Sequence, residues 1–119
     1  MASQQEDLRT RTKSFAVRMV KAYRALPYRG DAQVLGKQLL RCGTSVAANY
    51  RASCRARSKA EWVSKIGIVV EEADEVVFWL EMLSDCEIVP SIRLEELVKE
   101  ARELTAIFTA SQRTARSRR

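Results

Sequence analysis

Histidine is absent from this chain of 119 residues, and glycine, cysteine and proline are scarce at four, three and two. Without an imidazole, a serine or cysteine nucleophile lacks its usual base. The acidic run Glu71, Glu72, Asp74 and Glu75 lacks the Glu-x-x-His partners that di-iron bundles use. The cysteines Cys42, Cys54 and Cys86 form neither an even set nor a C-x-x-C pair, which argues against a disulfide framework or a zinc finger. Each is expected to be a small buried or half-buried thiol. So few glycines leave no phosphate-cradling loop. No stretch approaches the roughly 18 uninterrupted apolar residues of a membrane span. The opening MASQQEDLRTRTKSF places acids and polar residues where a signal peptide needs an apolar run. The expectations are a cytoplasmic protein with no membrane partner, no metal or cofactor, and no enzymatic activity.

What is present suits a compact helical domain. Hydrophobic residues make up 46% and charged residues 30%, enough for one modest core. The net charge of +6 is unevenly spread: residues 1–30, 31–58 and 91–119 carry +5, +4 and +3, whereas residues 59–90 carry −6. An even scatter of solubilising charge does not produce such a pattern.

Apolar residues recur at helical spacing in four stretches, and no period-two strand pattern interrupts them. Residues 8–26 place Leu8, Phe15, Met19, Ala22 and Leu26 on one face, and Pro27 and Gly30 stop that helix. Asp31 is the expected N-cap of a second helix, about 32–54, with Leu35, Leu39, Cys42, Val46, Asn49 and Ser53 in one stripe. Gly43 in its middle costs about 1 kcal/mol against alanine and is read as a site of close packing. Ser58 and Glu61 match an S-x-x-E capping box at the start of a third helix running to about Asp85. Its main stripe is Trp62, Ile66, Val69, Ala73, Val76, Leu80 and Leu83. Ile68, Trp79 and Met82 lie off that stripe and are candidates for an oligomer interface. Pro90 and Ser91 precede a fourth helix, about 92–110, with Ile92, Leu94, Leu97, Ala101, Leu104 and Phe108 in register. The fold class is therefore all-α, an up-and-down antiparallel four-helix bundle over residues 1–112. Residues 113–119 are expected to form a disordered basic tail, having too little apolar surface to offset the entropy of ordering.

Two segments carry a family resemblance: QLLRCGTSVAANYRAS (38–53) and SKAEWVSKIGIVVEEADEVVFWLEML (58–83). Arg41, Ser45, Val46 and Asn49 fit R-x-x-x-S-[IV]-x-x-N, and Lys59, Glu61 and Trp62 fit K-x-[ED]-[FW]. Glu72, Ala73, Glu75, Phe78, Trp79, Leu80, Met82 and Leu83 fit E-A-x-E-x-x-[YF]-W-L-x-[LM]-L. The chain thereby resembles the 23S rRNA intervening sequence proteins, a family of four-helix bundles. The resemblance implies a ring-like homopentamer. A related branch, the accessory variability determinant of diversity-generating retroelements, binds RNA and works with a reverse transcriptase, but this sequence is closer to the ribosomal intervening-sequence branch, so the resemblance implies the fold more firmly than the activity.

Polar residues near the apolar faces need partners, so Arg41, Asn49, Glu72 and Glu75 are expected to form a structural network. Trp62 and Trp79 are expected to pack, and Tyr28, beside Arg29, to anchor its loop, with contact of an exposed ring with RNA as the alternative. Arg51, Arg55, Arg57 and Lys59 cluster around one connection, while Arg113, Arg116, Arg118 and Arg119 have no nearby acid in sequence. These eight are the candidate nucleic-acid contacts, because guanidinium groups match phosphate geometry. The acidic third helix is a competing partner for some of that charge. The resemblance favours RNA over DNA. The leading expectation is a non-enzymatic RNA-binding bundle, and the alternative is an adaptor ring that docks a protein such as a reverse transcriptase or polymerase.

Overall fold

Four helices follow one another in the computed structural model, which describes residues 2–118: α1 (Ala2–Arg24), α2 (Gly30–Ser53), α3 (Lys59–Asp85) and α4 (Ser91–Ser117). The five-residue connections 25–29, 54–58 and 86–90 are too short for anything but an immediate reversal. Each helix accordingly packs on the next in sequence, in a molecule measuring 50 × 21 × 20 Å. One end of the bundle gathers the start of α1, the end of α4 and the α2–α3 connection. The other gathers the α1–α2 and α3–α4 connections.

The core follows the apolar stripes. Phe15 and Met19 from α1, Leu39, Cys42 and Val46 from α2, Ile66 to Leu83 on α3, and Leu94 to Phe108 on α4 supply buried layers. Three core members, Thr12, Ala32 and Tyr50, escape the stripes read from sequence. Thr12 is buried because its hydroxyl donates back to Leu8 O at 2.8 Å, satisfying the polar group within its own helix. Tyr50 is buried against Phe108, with ring centroids 5.1 Å apart. In contrast Ile92, assigned to the core stripe, sits in the first turn of α4 beyond the reach of the core and is 74% exposed.

Gly43 is required by packing. A Cβ there would lie 2.8 Å from Met19 Cβ, so its absence lets α1 and α2 come together. Ser58 caps α3 by accepting from the Glu61 amide at 3.0 Å. Asp31 does not cap α2. That helix begins one residue earlier than Asp31, after Arg29, and the Asp31 carboxylate instead accepts from the Ala32 amide at 2.8 Å and pairs with Arg29 at 3.1 Å. An acid in the first turn still complements the helix dipole.

Two boundaries differ from the sequence reading. The first helix starts at Ala2 rather than near residue 8, and the last continues to Ser117. Residues 113–117, expected to be disordered, are helical. The turn before them is tied down: Gln112 Nε2 donates to Val63 O on α3 at 2.9 Å, and Ser111 and Ala115 remain partly covered. Arg119 lies outside the described residues.

Candidate nucleic-acid interface

The antiparallel topology brings both basic clusters to the same end of the bundle. Arg51 lies in the last turn of α2, Arg55 and Arg57 in the connection, and Lys59 at the start of α3. Arg113 and Arg116 lie in the last turns of α4, with Arg118 just beyond. The Tyr50–Phe108 contact and the Gln112–Val63 bond hold the α4 end beside the α2–α3 connection. Clusters more than 50 residues apart in sequence thus share one end of the bundle.

All seven described members of the set are exposed. Arg57 is partly spent on Glu61, one helical turn ahead, at 3.5 Å. Among the described residues the other six make no ion pair. The acidic third helix therefore answers little of this charge. Glu72 and Glu75 are turned to Arg41 of α2, whereas Glu71, Asp74 and Glu81 stay exposed on the outer surface.

Charge divides unequally between the two halves of the bundle. The terminal half, residues 2–12, 42–72 and 105–118, holds ten basic and five acidic side chains. The two-loop half, residues 13–41 and 73–104, holds ten of each. A cleft of about 610 Å³ opens at the terminal end among Leu8, Tyr50, Trp62, Phe108 and Thr114, with Arg118 at its rim.

The polar residues sort into separate contacts. Arg41 donates to Glu72 at 3.2 Å and to Glu75, and Glu75 also accepts from the Trp79 indole at 3.1 Å. This network ties α2 to α3 at the rim of the bundle rather than inside it, since the Arg41 side chain is half exposed. Asn49 stands apart from it, donating to Ser45 O at 3.0 Å and to the Ser45 hydroxyl at 2.7 Å on its own helix. A contact that the sequence stripes did not reveal closes the bundle: Arg11 of α1 grips Glu100 of α4 through two hydrogen bonds of 2.7 and 2.8 Å and reaches Glu103 at 3.1 Å. The hydrogen bonds from Arg11 hold the Glu100 carboxyl below its ordinary pKa.

The remaining candidates occupy other places. Ile68 is 39% exposed on α3, and Trp79 and Met82, about three to four turns further along the same helix, are half-buried. Phe78, not singled out as an interface residue by the sequence pattern, is 50% exposed and packs edge-on against Trp79 at 4.8 Å. Tyr28 does not anchor its loop: it is 99% exposed at the two-loop end. Cys42 is fully buried, and burial first, then the Glu75 charge, pushes its thiol pKa up to about 12. It is a packing residue, unreactive at neutral pH. Cys86, by contrast, is exposed at the C-cap of α3. Among the described residues no helix is long and apolar enough to cross a membrane.

Comparison with known proteins agrees with this architecture. A solved structure from Bacteroides thetaiotaomicron, described as a protein of unknown function from the S23 ribosomal protein family, is similar to this chain at 30% identity with a TM-score of 0.85. The match covers 92% of this chain and 97% of that one. No curated protein matches the sequence. The family model of the 23S rRNA-intervening sequence protein matches residues 5–110, nearly the whole bundle, and the chain belongs to that family.

Proposed function

We propose that the protein is a non-enzymatic, cytoplasmic RNA-binding bundle that presents its terminal end to structured RNA and works as a homo-oligomer, a ring-like pentamer. The observation that carries the reading is the convergence of Arg51, Arg55, Lys59, Arg113, Arg116 and Arg118 on one end, where among the described residues none of them makes an ion pair. Unpaired guanidinium groups on rigid helix ends suit phosphate oxygens, and a surface of this kind supplies affinity from the backbone. Selectivity then comes from RNA shape, since the fold offers no strand platform for stacked bases. The exposed Phe78, packed on Trp79, and the exposed Ile68 about three turns earlier on the same helix support self-association through α3. In a ring each basic end is repeated, so modest contacts add.

A second reading rests on the opposite end. Tyr28, Val34 and Ile92 are 99%, 64% and 74% exposed there, around an electrically balanced half. Apolar side chains on a neutral end favour docking of a protein, such as a reverse transcriptase or polymerase, over RNA.

Binding of the purified protein to a folded 23S rRNA fragment, a scrambled RNA and a matched duplex DNA, from low to physiological salt with the oligomer mass measured in parallel, separates the two. Preference for the folded RNA that survives physiological salt supports the first reading. Weak, equal binding that disappears with salt refutes it and favours the adaptor.

A further inference from the structure

Arg51 belongs to a second arrangement that the sequence clusters do not show. Arg9 and Lys13, four residues apart on α1, face Arg51 across a groove of about 520 Å³ between α1 and α2. Its floor is Thr44, Ala47 and Ala48, which together with Arg51 follow the spacing of one face of α2. The close approach of the two helices at Gly43 and Met19 sets the groove immediately beside the tightest part of their contact.

Three cations converge here, and among the described residues none makes an ion pair. Arg11, between Arg9 and Lys13 in sequence, turns the other way to grip Glu100 and Glu103 on α4. α1 therefore sorts its charges: one toward carboxylates that neutralise it, two toward a further arginine. Like charges one turn apart on a helix, facing a third across a groove, lower the stability of the empty protein. An anion in the groove reverses that sign. The floor offers little competition: the Thr44 hydroxyl is already donating to Leu40 O at 2.7 Å, and the two alanines leave room for a ligand to settle between the helices. Recognition would rest on charge and on the arginine forks, which match phosphate oxygens.

We infer that this α1–α2 groove seats a phosphodiester of the bound RNA backbone, with Arg9, Lys13 and Arg51 as its ligands, extending the terminal basic surface along the side of the bundle. The inference rests on the RNA-binding reading and adds a lateral contact to it. Arg51 joins the two, since it lies in the last turn of α2 and on the groove wall.

The test compares three proteins on a labelled folded 23S rRNA fragment across a salt series: wild type, the groove variant Arg9→Gln/Lys13→Gln/Arg51→Gln, and the control variant Arg18→Gln/Lys21→Gln/Arg24→Gln. The control removes the same charge from exposed positions on α1 away from the groove. The groove variant is expected to lose affinity by roughly tenfold or more and to flatten the salt slope by about 0.7–0.9 for each phosphate it no longer neutralises, with the control much less affected. Thermal melting gives an independent readout. The groove variant should melt at or above the wild-type temperature, because repulsion has been removed. Inorganic tripolyphosphate should raise the melting temperature of wild type and the control but not of the groove variant.

Equal loss of RNA affinity in both variants overturns the inference, since net charge alone then explains it. So does a groove variant that stops responding to tripolyphosphate yet binds RNA normally, which would make the groove a site for free polyphosphate. A groove variant that binds RNA normally but changes oligomer mass also overturns it, marking the groove as a contact for the acidic α3 of another copy. Wild type that fails to bind any RNA overturns the broader reading and the inference together. Wild type that binds while the groove variant is unaffected overturns the inference alone.

Discussion

The two halves of the bundle carry the same number of cations and differ in their acids. In the two-loop half every one of ten basic side chains has an acidic counterpart in number, while in the terminal half only five acids oppose ten bases. Apolar exposure runs the other way, with Tyr28, Val34 and Ile92 bare at the two-loop end. The comparison shows that a bundle built from four similar amphipathic helices becomes a polar object through its topology. Alternating helix direction stacks the basic last turns of α2 and α4 at one end. It also delivers the acidic later part of α3 and the acidic start of α4 to the other. Neither result is visible in any one helix.

The largest expected effect breaks this contrast directly. Reversing two cations at the terminal end, Arg55→Glu with Arg116→Glu, should lower RNA affinity by more than about tenfold at physiological salt. The same change in net charge at the two-loop end, Arg24→Glu with Arg93→Glu, should cost far less. Equal losses in a binding titration would mean that total charge matters and the polarity of the bundle does not.

A substitution between the halves should spare neither. Gly43→Val puts side-chain atoms where Met19 already lies and is expected to lower stability by about 1–3 kcal/mol, read from urea unfolding. If stability were unchanged, the α1–α2 contact would be looser than the glycine implies, and the groove beside it would lose its rigid floor.

A smaller effect should sharpen the picture of how α1 uses its charges. Glu100→Gln is expected to lower stability at neutral pH by about 1 kcal/mol, since a bidentate arginine–carboxylate pair with one partly buried partner is among the better surface pairs. Glu100 has a lowered pKa in the folded protein, so its contribution is complete above its unfolded value and is lost as pH falls through the lower folded value. Wild-type and variant melting curves should therefore differ at pH 7 and converge in acid. Curves that stay parallel down to pH 3 would show that the effect is packing and not the ionised pair.

Much of the helix pattern was legible in sequence because amphipathic periodicity is a local property. Phe15, Met19, Leu39, Val46, Ile66, Val76 and Leu104 are buried where their spacing places them, and Ser58 caps α3 as its motif requires. The exceptions have local causes too. Thr12 and Tyr50 are amphipathic side chains that bury when their polar atoms are satisfied or held at the edge, and Ile92 is an apolar residue placed one turn too early to reach the core. Order in the tail escapes composition, which counts only charges, whereas the last turns of α4 gain order from Gln112 and its partner on α3.

The candidate site was legible in its parts and not in its assembly. The arginine clusters are plain in the sequence, and so is the acidic third helix. Whether one neutralises the other depends on the rotation of each helix about its axis and on which neighbours it meets. Arg41 finds Glu72 and Glu75 across α2 and α3, and Arg57 finds Glu61 one turn away, but among the described residues Arg51, Arg55 and Arg113 make no ion pair. The pairing of Arg11 with Glu100, 89 residues apart, and the opposite facing of Arg9 and Lys13 are likewise consequences of packing. By itself the sequence determined four helices, their buried stripes and the absence of imidazole chemistry, because periodicity and residue inventory are properties of the chain taken locally. Only the tertiary structure decided which charges remain unpaired and which end they occupy, because electrostatic energy depends on distances between helices that the order of residues does not state.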